Sequence, residues 1–211
     1  PVLTPEVERA LKSGEPVVAL ESAVITHGLP RPHNLDVALG MQQEISKVGA
    51  VPATIAVIDG EIRVGLTEDE LRRLAESTDN LKLGVRDLVS AYLRGAIGGT
   101  TVAATMFAAS RAGIQVFATG GIGGVHRGNG FDVSADLQAL AHTRMIVVCA
   151  GAKSILDLAA TVELLESLSV PVLGYGTDEF PAFYAPETGL RTSARADSVS
   201  EVVLNWARHC A

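Results

Sequence analysis

The sequence is poor in aromatic residues, in cysteine and in basic clusters, and each shortage excludes a class of protein. Aromatic residues make up 4% of the chain, so a core must be built from Val, Ala, Leu and Ile instead. The two cysteines, Cys149 and Cys210, are too few for a disulfide framework or a metal cluster. A net charge of −7 without any Lys/Arg run argues against nucleic acid as a partner.

Long apolar runs are also absent. Nothing approaches the roughly 18 uninterrupted apolar residues of a membrane span, and the segment from Pro1 to Glu15 is too polar and acidic for a signal peptide. We therefore expect a cytoplasmic protein with no membrane partner. What the chain does have is 211 residues, 47% of them hydrophobic, and 21 glycines. This length and composition predict a single α/β domain over residues 1–211.

Short Val/Ile/Ala-rich runs alternate with segments of helical periodicity. The predicted buried strands are Val17–Leu20, Ala53–Ile58, Val116–Ala118, Met145–Ala150 and Val170–Leu173. The predicted helices are Asn34–Val48, Thr67–Ala75, Thr100–Ala112, Leu137–His142 and Ser154–Leu168. This order predicts a layered α/β/α fold around a mostly parallel, mixed central sheet.

Local signals add detail at the ends of these elements. The Asp59-Gly60 turn predicts that Ile62–Gly65 forms a hairpin with Thr54–Ile58. Two capping boxes are predicted at helix starts: Thr67 with Glu70, and Asp197 or Ser198 with Glu201.

Polar residues directly follow the predicted strands, where ligands collect in α/β sheets. Glu21 comes after Val17–Leu20, and partial desolvation there would raise its pKa and suit it to general acid catalysis. Alternatively, its carboxylate is tied to backbone amides of a Gly-rich turn. The residues alone leave both interpretations open.

Two glycine-rich segments are candidate anion cradles. Gly120–Gly128 exposes backbone amides, and Arg127 within it could bind a phosphate with two hydrogen bonds. Gly98-Gly99-Thr100-Thr101 precedes a helix and could bind an anion at the helix N-terminus. In the second segment an ordinary threonine N-cap is at least as good an interpretation.

Asp132, Ser134 and Asp136 form a third candidate site. Asp132, Ser134 and Asp136 occupy alternate positions and share one face if the segment is extended, whereas Asp132 and Asp136 share one face if it is helical. Either geometry could hold Mg²⁺ or Mn²⁺ through one carboxylate and several waters. On local grounds we favour the simpler interpretation, in which Ser134 or Asp136 starts the helix Leu137–His142.

Lys153 is the strongest candidate for chemistry. It follows the apolar run Met145–Ala150 and two small residues, so its amine lies beside the end of a predicted buried strand. Burial would lower the lysine pKa and expose a nucleophile toward a sugar aldehyde. A surface lysine that caps a loop is the alternative, and Lys82 is more equivocal still because lysines in such loops are usually solvated.

Five motifs in this order resemble the pseudouridine-5'-phosphate glycosidase family, also described as indigoidine synthase A-like. They are the segment Glu21 to Asn34 with its Thr26-His27-Gly28-Leu29-Pro30 core, Gly99 to Met106, Phe117 to Gly128, Cys149 to Ser154, and Gly174 to Tyr184. The resemblance runs essentially from end to end of the chain. It implies reversible cleavage of the carbon-carbon glycosidic bond of pseudouridine 5'-phosphate, giving uracil and ribose 5-phosphate.

The resemblance also implies a role for individual residues. It places the nucleophile at Lys153, the proton donor at Glu21 and the metal-binding aspartate at Asp132, with one Mn²⁺ ion and a homotrimer. The substrate contacts that it implies are Lys82, Val102, Thr119, His126, Ser134, Ala135 and Asp136.

Members of this family usually continue beyond the equivalent of Ala211, into a segment with an asparagine-proline pair that contributes to the substrate pocket. We therefore expect residues 1–211 to form one domain of the family without that segment. Two alternatives stay open: a related sugar-phosphate enzyme of an indigoidine-type pathway, and a noncatalytic form that keeps only a ligand pocket.

Overall fold

A computed structural model describes residues 1–128 and 131–209, which form two compact units. The first unit is Pro1–Ala118 and the second begins at Thr119. Cys210 lies outside the described residues. The expectation of a single domain over 1–211 stays a prediction. No helix within the described residues is long and apolar enough to cross a membrane.

The first unit consists of seven strands and five helices, with two short helical turns at Val24–Gly28 (π) and Val85–Asp87 (3₁₀). Its strands are β1 (Val2–Leu3), β2 (Val17–Leu20), β3 (Val51–Ile58), β4 (Glu61–Val64), β5 (Leu81–Leu83), β6 (Gly98–Thr100) and β7 (Val116–Ala118). Its helices are α1 (Pro5–Ser13), α2 (His33–Lys47), α3 (Glu68–Glu76), α4 (Leu88–Arg94) and α5 (Val102–Ala112).

A mixed, mostly parallel sheet is the centre of the first unit. Its strands run β1-β4-β3-β2-β7, and β6 joins β3 and then β5. The pairs β1–β4, β2–β3, β2–β7 and β5–β6 are parallel, whereas β3–β4 and β3–β6 are antiparallel. Along one edge β3 pairs first with β2 through Thr54 and then with β6 from Ala56 onward.

Both faces of this sheet are covered. Ile55, Ala56, Val57 and Ile58 are each no more than 1% exposed, and successive strand residues point to opposite faces. Helices α1, α2 and α5 all contact β3, and their apolar residues supply that cover. The predicted α/β class with a mostly parallel, mixed sheet between helices is confirmed.

The second unit has short strands, and four of them form two separate two-stranded sheets. Its elements are β8 (Val125–His126), α6 (Ala135–His142), β9 (Ile146–Val148), β10 (Leu156–Asp157), α7 (Leu158–Ser167), β11 (Leu173–Tyr175), β12 (Ala194–Ala196) and α8 (Val199–His209). Strands β8 and β10 are antiparallel, and β11 and β12 are parallel.

The structure confirms several predicted elements and their ends. Strands Val17–Leu20 and Val116–Ala118 have the predicted bounds. The hairpin of β3 and β4 forms at Asp59 and Gly60, whose φ angles of 52° and 76° suit a tight turn. The Thr67 hydroxyl accepts from the Glu70 amide, and the Glu70 carboxylate accepts from the Thr67 amide, so this capping box is complete.

The second predicted box forms with a shifted partner. Ser198 Oγ accepts from the Glu201 amide at 3.3 Å, as expected for the cap of α8. The Glu201 carboxylate, however, accepts from the amide of Asp197 at 2.6 Å.

The predicted bounds of three elements between Met145 and Leu173 are wrong. The strand at Val170–Leu173 is displaced to β11, because Pro171 has no amide hydrogen to contribute to a ladder. The predicted strand Met145–Ala150 shortens to β9. The predicted helix Ser154–Leu168 begins only at Leu158, where Asp157 Oδ1 caps the Ala160 amide at 3.0 Å.

Asn34 links the turn Val24–Gly28 to the end of α3. It is 3% exposed, and its Nδ2 donates to the carbonyl oxygens of Ile25 and Ala75 at 2.9 and 3.0 Å. Its Oδ1 accepts from the Leu35 amide at 2.9 Å. A single buried side chain therefore ties this turn to α3.

We predict that Asn34→Ala lowers the free energy of unfolding by about 2–4 kcal/mol, because two buried carbonyls lose their donor. The matched control is Asn205→Ala, since Asn205 Nδ2 donates to the Glu201 carbonyl at an exposed position. That control should change stability by less than about 0.5 kcal/mol. Urea unfolding followed by circular dichroism measures the free energy of unfolding of both variants. Equal losses in the two would contradict the stabilising role of the buried Asn34 hydrogen bonds.

Candidate active site

Glu21 follows β2 at the point where β3 changes its neighbour. The carbonyl of Ile55 lies at that change, and it accepts from Ser22 Oγ at 2.5 Å and from Thr100 Oγ1 at 2.7 Å. Ser22 Oγ also accepts from the Thr100 amide at 3.0 Å. Glu21 is 7% exposed beside this network, so the structure provides the desolvation that the sequence predicted. Its role as an acid stays a prediction.

The turn Val24–Gly28 continues from Ser22 and carries Thr26 and His27. His27 Nδ1 lies 2.7 Å from Thr26 Oγ1. Burial, and after it the positive charge of Lys82, lower the pKa of His27 below its usual value. The sequence motif included His27 but no role was assigned to it. The available signal was its position six residues after the strand-end carboxylate Glu21.

Lys82 lies on β5 directly opposite Gly99 on β6. Gly99 has no room for a side chain, because a Cβ there would overlap Thr26 Oγ1 and lie 2.6 Å from the Ser22 carbonyl oxygen. The turn Val24–Gly28 therefore packs directly on β6. Strand pairing and this close approach place Lys82 and His27 at the same edge of the sheet.

The anion cradle proposed for Gly98 to Thr101 is wrong. Gly98, Gly99 and Thr100 form the buried strand β6. Thr101 is the N-cap of α5, with its hydroxyl accepting from the Ala104 amide at 3.4 Å, so the alternative interpretation is confirmed. Helix α5 begins at Val102 and not at Thr100. Because the Val102 side chain is 1% exposed, any substrate contact there would use its main chain.

In the second unit, Lys153 lies at the end of an extended segment that begins at Ala150. This segment runs beside a second extended segment, from Gly120 to Ile122. The Ala150 amide donates to Gly120 O at 3.1 Å, the Ile122 amide to Gly151 O at 3.0 Å, and the Lys153 amide to Ile122 O at 3.1 Å. The Thr119 amide continues this ladder by donating to Val148 O at 2.9 Å. The structure thus brings Thr119 and the partly buried Lys153 onto adjacent segments, as expected for residues of one pocket wall.

A third segment packs over this ladder. The Phe183 amide donates to Ala150 O at 2.9 Å, and Ala182 pairs with Gly151. The Phe183 ring lies on Gly121, where an added Cβ would clash with it, and contacts the Tyr184 ring edge-on at a centroid distance of 4.5 Å. Sequence reasoning used these aromatic residues only for the family resemblance. No structural role was assigned to Phe183 from the sequence, and its positive φ of 59° was not predicted.

Four amides of the Gly120–Gly128 segment bind acceptors within the protein. Besides the Ile122 amide, that of Gly123 donates to Asp136 Oδ2 at 2.8 Å and that of Val125 to Thr161 Oγ1 at 3.0 Å. The His126 amide donates to Asp132 O at 2.8 Å. The predicted anion cradle is therefore wrong for these four amides, because each already donates to an acceptor in the protein.

Arg127 likewise holds the protein together. Its Nε donates to Leu156 O and its Nη2 to Ser154 O, both at 3.1 Å. These bonds tie the glycine segment to the turn that follows Lys153. The guanidinium group was predicted to bind a phosphate with two hydrogen bonds. In the structure it donates these hydrogen bonds to backbone carbonyls instead.

The segment from Asp132 to Asp136 is extended up to Ser134 and helical after it. Ser134 Oγ accepts from the Asp136 amide at 3.2 Å, so Ser134 caps α6, as the simpler interpretation predicted. Ala135 is the first residue of α6, and the 5% exposed Asp136 accepts from Gly123. Asp132 and Asp136 do not share a helix face. Substrate contacts at Ser134, Ala135 and Asp136 stay predictions.

Asp132 and His126 are neighbours across a short antiparallel bridge. Asp132 Oδ2 lies 3.9 Å from His126 Nδ1, and the two side chains are 65% and 46% exposed. Among the described residues, no group of three or more His, Cys, Asp or Glu side chains is placed to hold a metal ion. A single exposed carboxylate still fits a hard cation that keeps most of its water ligands, and an adjacent imidazole is an acceptable ligand for Mn²⁺.

Comparisons with known proteins agree over most of the chain. A family model described as Indigoidine synthase A like protein matches residues 6–209. A protein of Herpetosiphon aurantiacus named pseudouridine-5'-phosphate glycosidase is 56% identical over 210 residues, which are 99% of this chain and 69% of that protein. Pseudouridine-5'-phosphate glycosidase 2 of Rhizobium johnstonii is 53% identical over 212 residues, again 99% and 69%.

Two solved structures have the same fold. An indigoidine synthase A-like protein of Thermotoga maritima matches with a TM-score of 0.90 and 35% identity, over 99% of this chain and 68% of that chain. The prealnumycin C-glycosynthase AlnA, in complex with ribulose 5-phosphate, matches with a TM-score of 0.90 and 41% identity, over 98% and 68%.

We predict that Gly151→Ala strongly destabilises the protein. Gly151 has φ of +81°, and a Cβ there would overlap the carbonyl oxygen of Pro181, which is backbone and cannot swing away. The cost should exceed about 3 kcal/mol. Thermal unfolding followed by circular dichroism is the measurement.

Gly176→Ala is the matched control. Gly176 also has a positive φ, of +68°, but nothing lies within 4 Å of an added Cβ. This variant should lose only about 1–2 kcal/mol, the cost of the left-handed backbone alone. Equal losses in the two variants would show that the packing of Pro181 over Gly151 is unimportant.

Proposed function

The chain belongs to the indigoidine synthase A-like family, and from this membership we propose that it reversibly cleaves the carbon-carbon glycosidic bond of pseudouridine 5'-phosphate. The products are uracil and ribose 5-phosphate. The observation that carries the proposal is Lys153, whose main chain is fixed by the ladder to Ile122. The chain around it is 56% identical to a relative named pseudouridine-5'-phosphate glycosidase. The family resemblance of the motifs is confirmed by the match over residues 6–209.

Lys153 is the proposed nucleophile. In the synthetic direction its neutral amine attacks the aldehyde carbon C1 of open-chain ribose 5-phosphate, and water leaves as the imine forms. C5 of uracil then adds to this carbon, and the electrons of the imine move to nitrogen. Loss of the C5 proton restores the pyrimidine, and the 4-hydroxyl displaces the amine to close the ribose ring. Cleavage follows the same steps in reverse.

Glu21 is the proposed proton donor for ring opening. In the cleavage direction its carboxylic acid gives a proton to the ring oxygen O4', which leaves C1' as a hydroxyl. In the synthetic direction the carboxylate takes that proton back. The 7% exposure of Glu21 supports this role, because a carboxyl group with little water around it loses hydration of its charged form. This chemistry differs from that of ordinary glycosidases, which pair two carboxylates.

Substrate contacts are proposed at the positions that the family resemblance implies. They are Lys82, Val102, Thr119, His126, Ser134, Ala135 and Asp136. Val102 would contribute its amide, because its side chain is buried. The phosphate is far from the reacting carbon, so its binding energy holds the sugar while the bond at C1' changes.

We propose that one Mn²⁺ ion binds at Asp132, with waters completing its shell and His126 beside it. The ion would supply positive charge to substrate oxygens when bound. We also propose that the protein is a homotrimer and works in the cytoplasm, where a phosphorylated sugar is retained by its charge. Light scattering on the purified chain measures the oligomer.

A second candidate function is carbon-carbon bond formation between a pentose 5-phosphate and an acceptor other than uracil. The 41% identity to a C-glycosynthase in complex with ribulose 5-phosphate favours it. Turnover of ribose 5-phosphate with uracil and with a panel of aromatic acceptors separates the two functions. The preferred acceptor identifies the reaction.

We predict that uracil, ribose 5-phosphate and Mn²⁺ yield a nucleotide, and that borohydride traps ribose 5-phosphate on Lys153. Lys153→Arg should abolish trapping and lower kcat by at least about 10³-fold. Glu21→Gln should lower kcat by about 10² to 10⁴-fold while trapping of the open-chain sugar persists. Product by chromatography and adduct by peptide mass spectrometry are the measurements.

The control for trapping is Lys47→Arg, because Lys47 is exposed and paired with Glu44. This variant should behave as the unaltered protein. Ribose 5-phosphate binding with neither adduct nor product would instead identify a noncatalytic ligand-binding form. An adduct on a lysine other than Lys153 would reject the proposed nucleophile.

We predict that chelation removes activity and that Mn²⁺ restores it. Asp132→Asn should weaken Mn²⁺ binding by about tenfold or more, because the amide oxygen lacks the charge that attracts the ion. Electron paramagnetic resonance of free Mn²⁺ measures binding without reference to turnover. Asp79→Asn, at an exposed position, should bind Mn²⁺ as the unaltered protein does. Unchanged affinity in Asp132→Asn would exclude this residue as the ligand.

A further inference from the structure

His27 is a polar group of the first unit to which the proposed function assigns no role. It lies on the turn Val24–Gly28, which packs against β5 and β6. Lys82 on β5 pairs with Gly99 on β6, and Gly99 is the residue against which Thr26 of this turn packs. The buried Asn34 fixes this turn through the Ile25 carbonyl, so His27 is carried on a well-anchored backbone.

No carboxylate pairs with either basic group among the described residues. The ion pairs there include neither Lys82 nor His27. The charged groups of α2 and α3, which also pack on the turn, mostly have partners of their own, as in His33 with Asp36 and Arg72 with Glu68. The positive charge of Lys82 and the imidazole of His27 are left side by side, and an anion could bind both.

The hydrogen bond of His27 selects the nitrogen available to a ligand. Thr26 Oγ1 lies 2.7 Å from Nδ1, closer than it lies to the carbonyl oxygens of Ser22 at 3.4 Å and Ala23 at 3.5 Å. The hydroxyl therefore donates best to Nδ1, which places the ring proton on Nε2. A neutral imidazole in this tautomer donates one hydrogen bond from Nε2. It can therefore bind a phosphate oxygen without first gaining a proton.

We propose that His27 binds the phosphate of the sugar phosphate together with Lys82, using Nε2–H as its donor. The proposal rests on the proposed function for the identity of the sugar. It assigns to His27 a role in holding the phosphate and none in the steps at C1'. Lys82 supplies the charge, and His27 supplies a directed hydrogen bond.

Two variants of His27 distinguish its nitrogens. His27→Gln places an amide NH₂ near the position of Nε2, whereas His27→Asn places it near Nδ1. We expect His27→Asn to raise the Kd for ribose 5-phosphate roughly tenfold and His27→Gln to raise it less than about threefold. Calorimetry with ribose 5-phosphate and with inorganic phosphate measures both. The KM for ribose 5-phosphate should rise in step with this Kd in His27→Asn, whereas the KM for uracil should stay within about twofold of its value in the unaltered protein.

The control variant is His33→Gln, which changes another exposed histidine of the same unit that is paired with Asp36. It should leave the Kd for both phosphate ligands unchanged. A purely structural role for His27 would lower stability and kcat in both variants alike, without the difference between Gln and Asn. Equal Kd values in the unaltered protein and His27→Asn would overturn the proposal.

Failure of the proposed function is a separate outcome. If the unaltered protein makes no nucleotide from uracil but binds ribose 5-phosphate, the binding series on His27 still decides this inference. If it turns over ribose 5-phosphate while His27→Asn binds that sugar normally, the function stands and the role of His27 is rejected. Absence of ribose 5-phosphate binding in the unaltered protein would reject both.

Discussion

The carbonyl of Ile55 imposes the constraint on which the first unit depends. At this residue β3 loses β2 as a neighbour and gains β6, so a buried carbonyl loses its ladder partner. Such a group costs about 1–3 kcal/mol if left unpaired. The hydroxyls of Ser22 and Thr100 satisfy it, and in doing so they fix the first residues after β2 and the last residue of β6. Glu21 is positioned by this requirement of the backbone.

The second unit meets a different requirement, which is to hold a lysine in an irregular segment. Lys153 lies beyond any regular strand, and its main chain is held by a ladder of single hydrogen bonds with Gly120 to Ile122. Gly151 lets Pro181 pack against this ladder without a side chain between them. Gly151 thus serves the close approach of two backbone segments. The amides of Ile122, Gly123, Val125 and His126 donate to acceptors within the protein, so they are not available to an anion.

Sequence patterns predicted the elements whose physics is local. Strand β2 is a short apolar run between turn residues, and the Thr67–Glu70 box needs only four consecutive residues, so both were predictable. Thr100 was assigned to a helix because its helical neighbours continue the apolar period, whereas pairing with Leu83 on β5 makes it a strand residue. Which amides of Gly120–Gly128 are satisfied depends on Asp136 and Thr161, which are distant in the chain. Spacing cannot reveal that, and neither can it reveal that Lys82 and His27 are neighbours.

Asn34 couples the turn that carries His27 to helix α3, which is distant in the sequence. Because one amide group binds both Ile25 O and Ala75 O, the turn and the last residues of α3 cannot separate independently. Local opening of either releases the other, so the two form one cooperative unit of hydrogen exchange. Any change that loosens the C-terminal turn of α3, whether a surface substitution or a rise in temperature, is therefore transmitted to a candidate ligand-binding residue that it never touches.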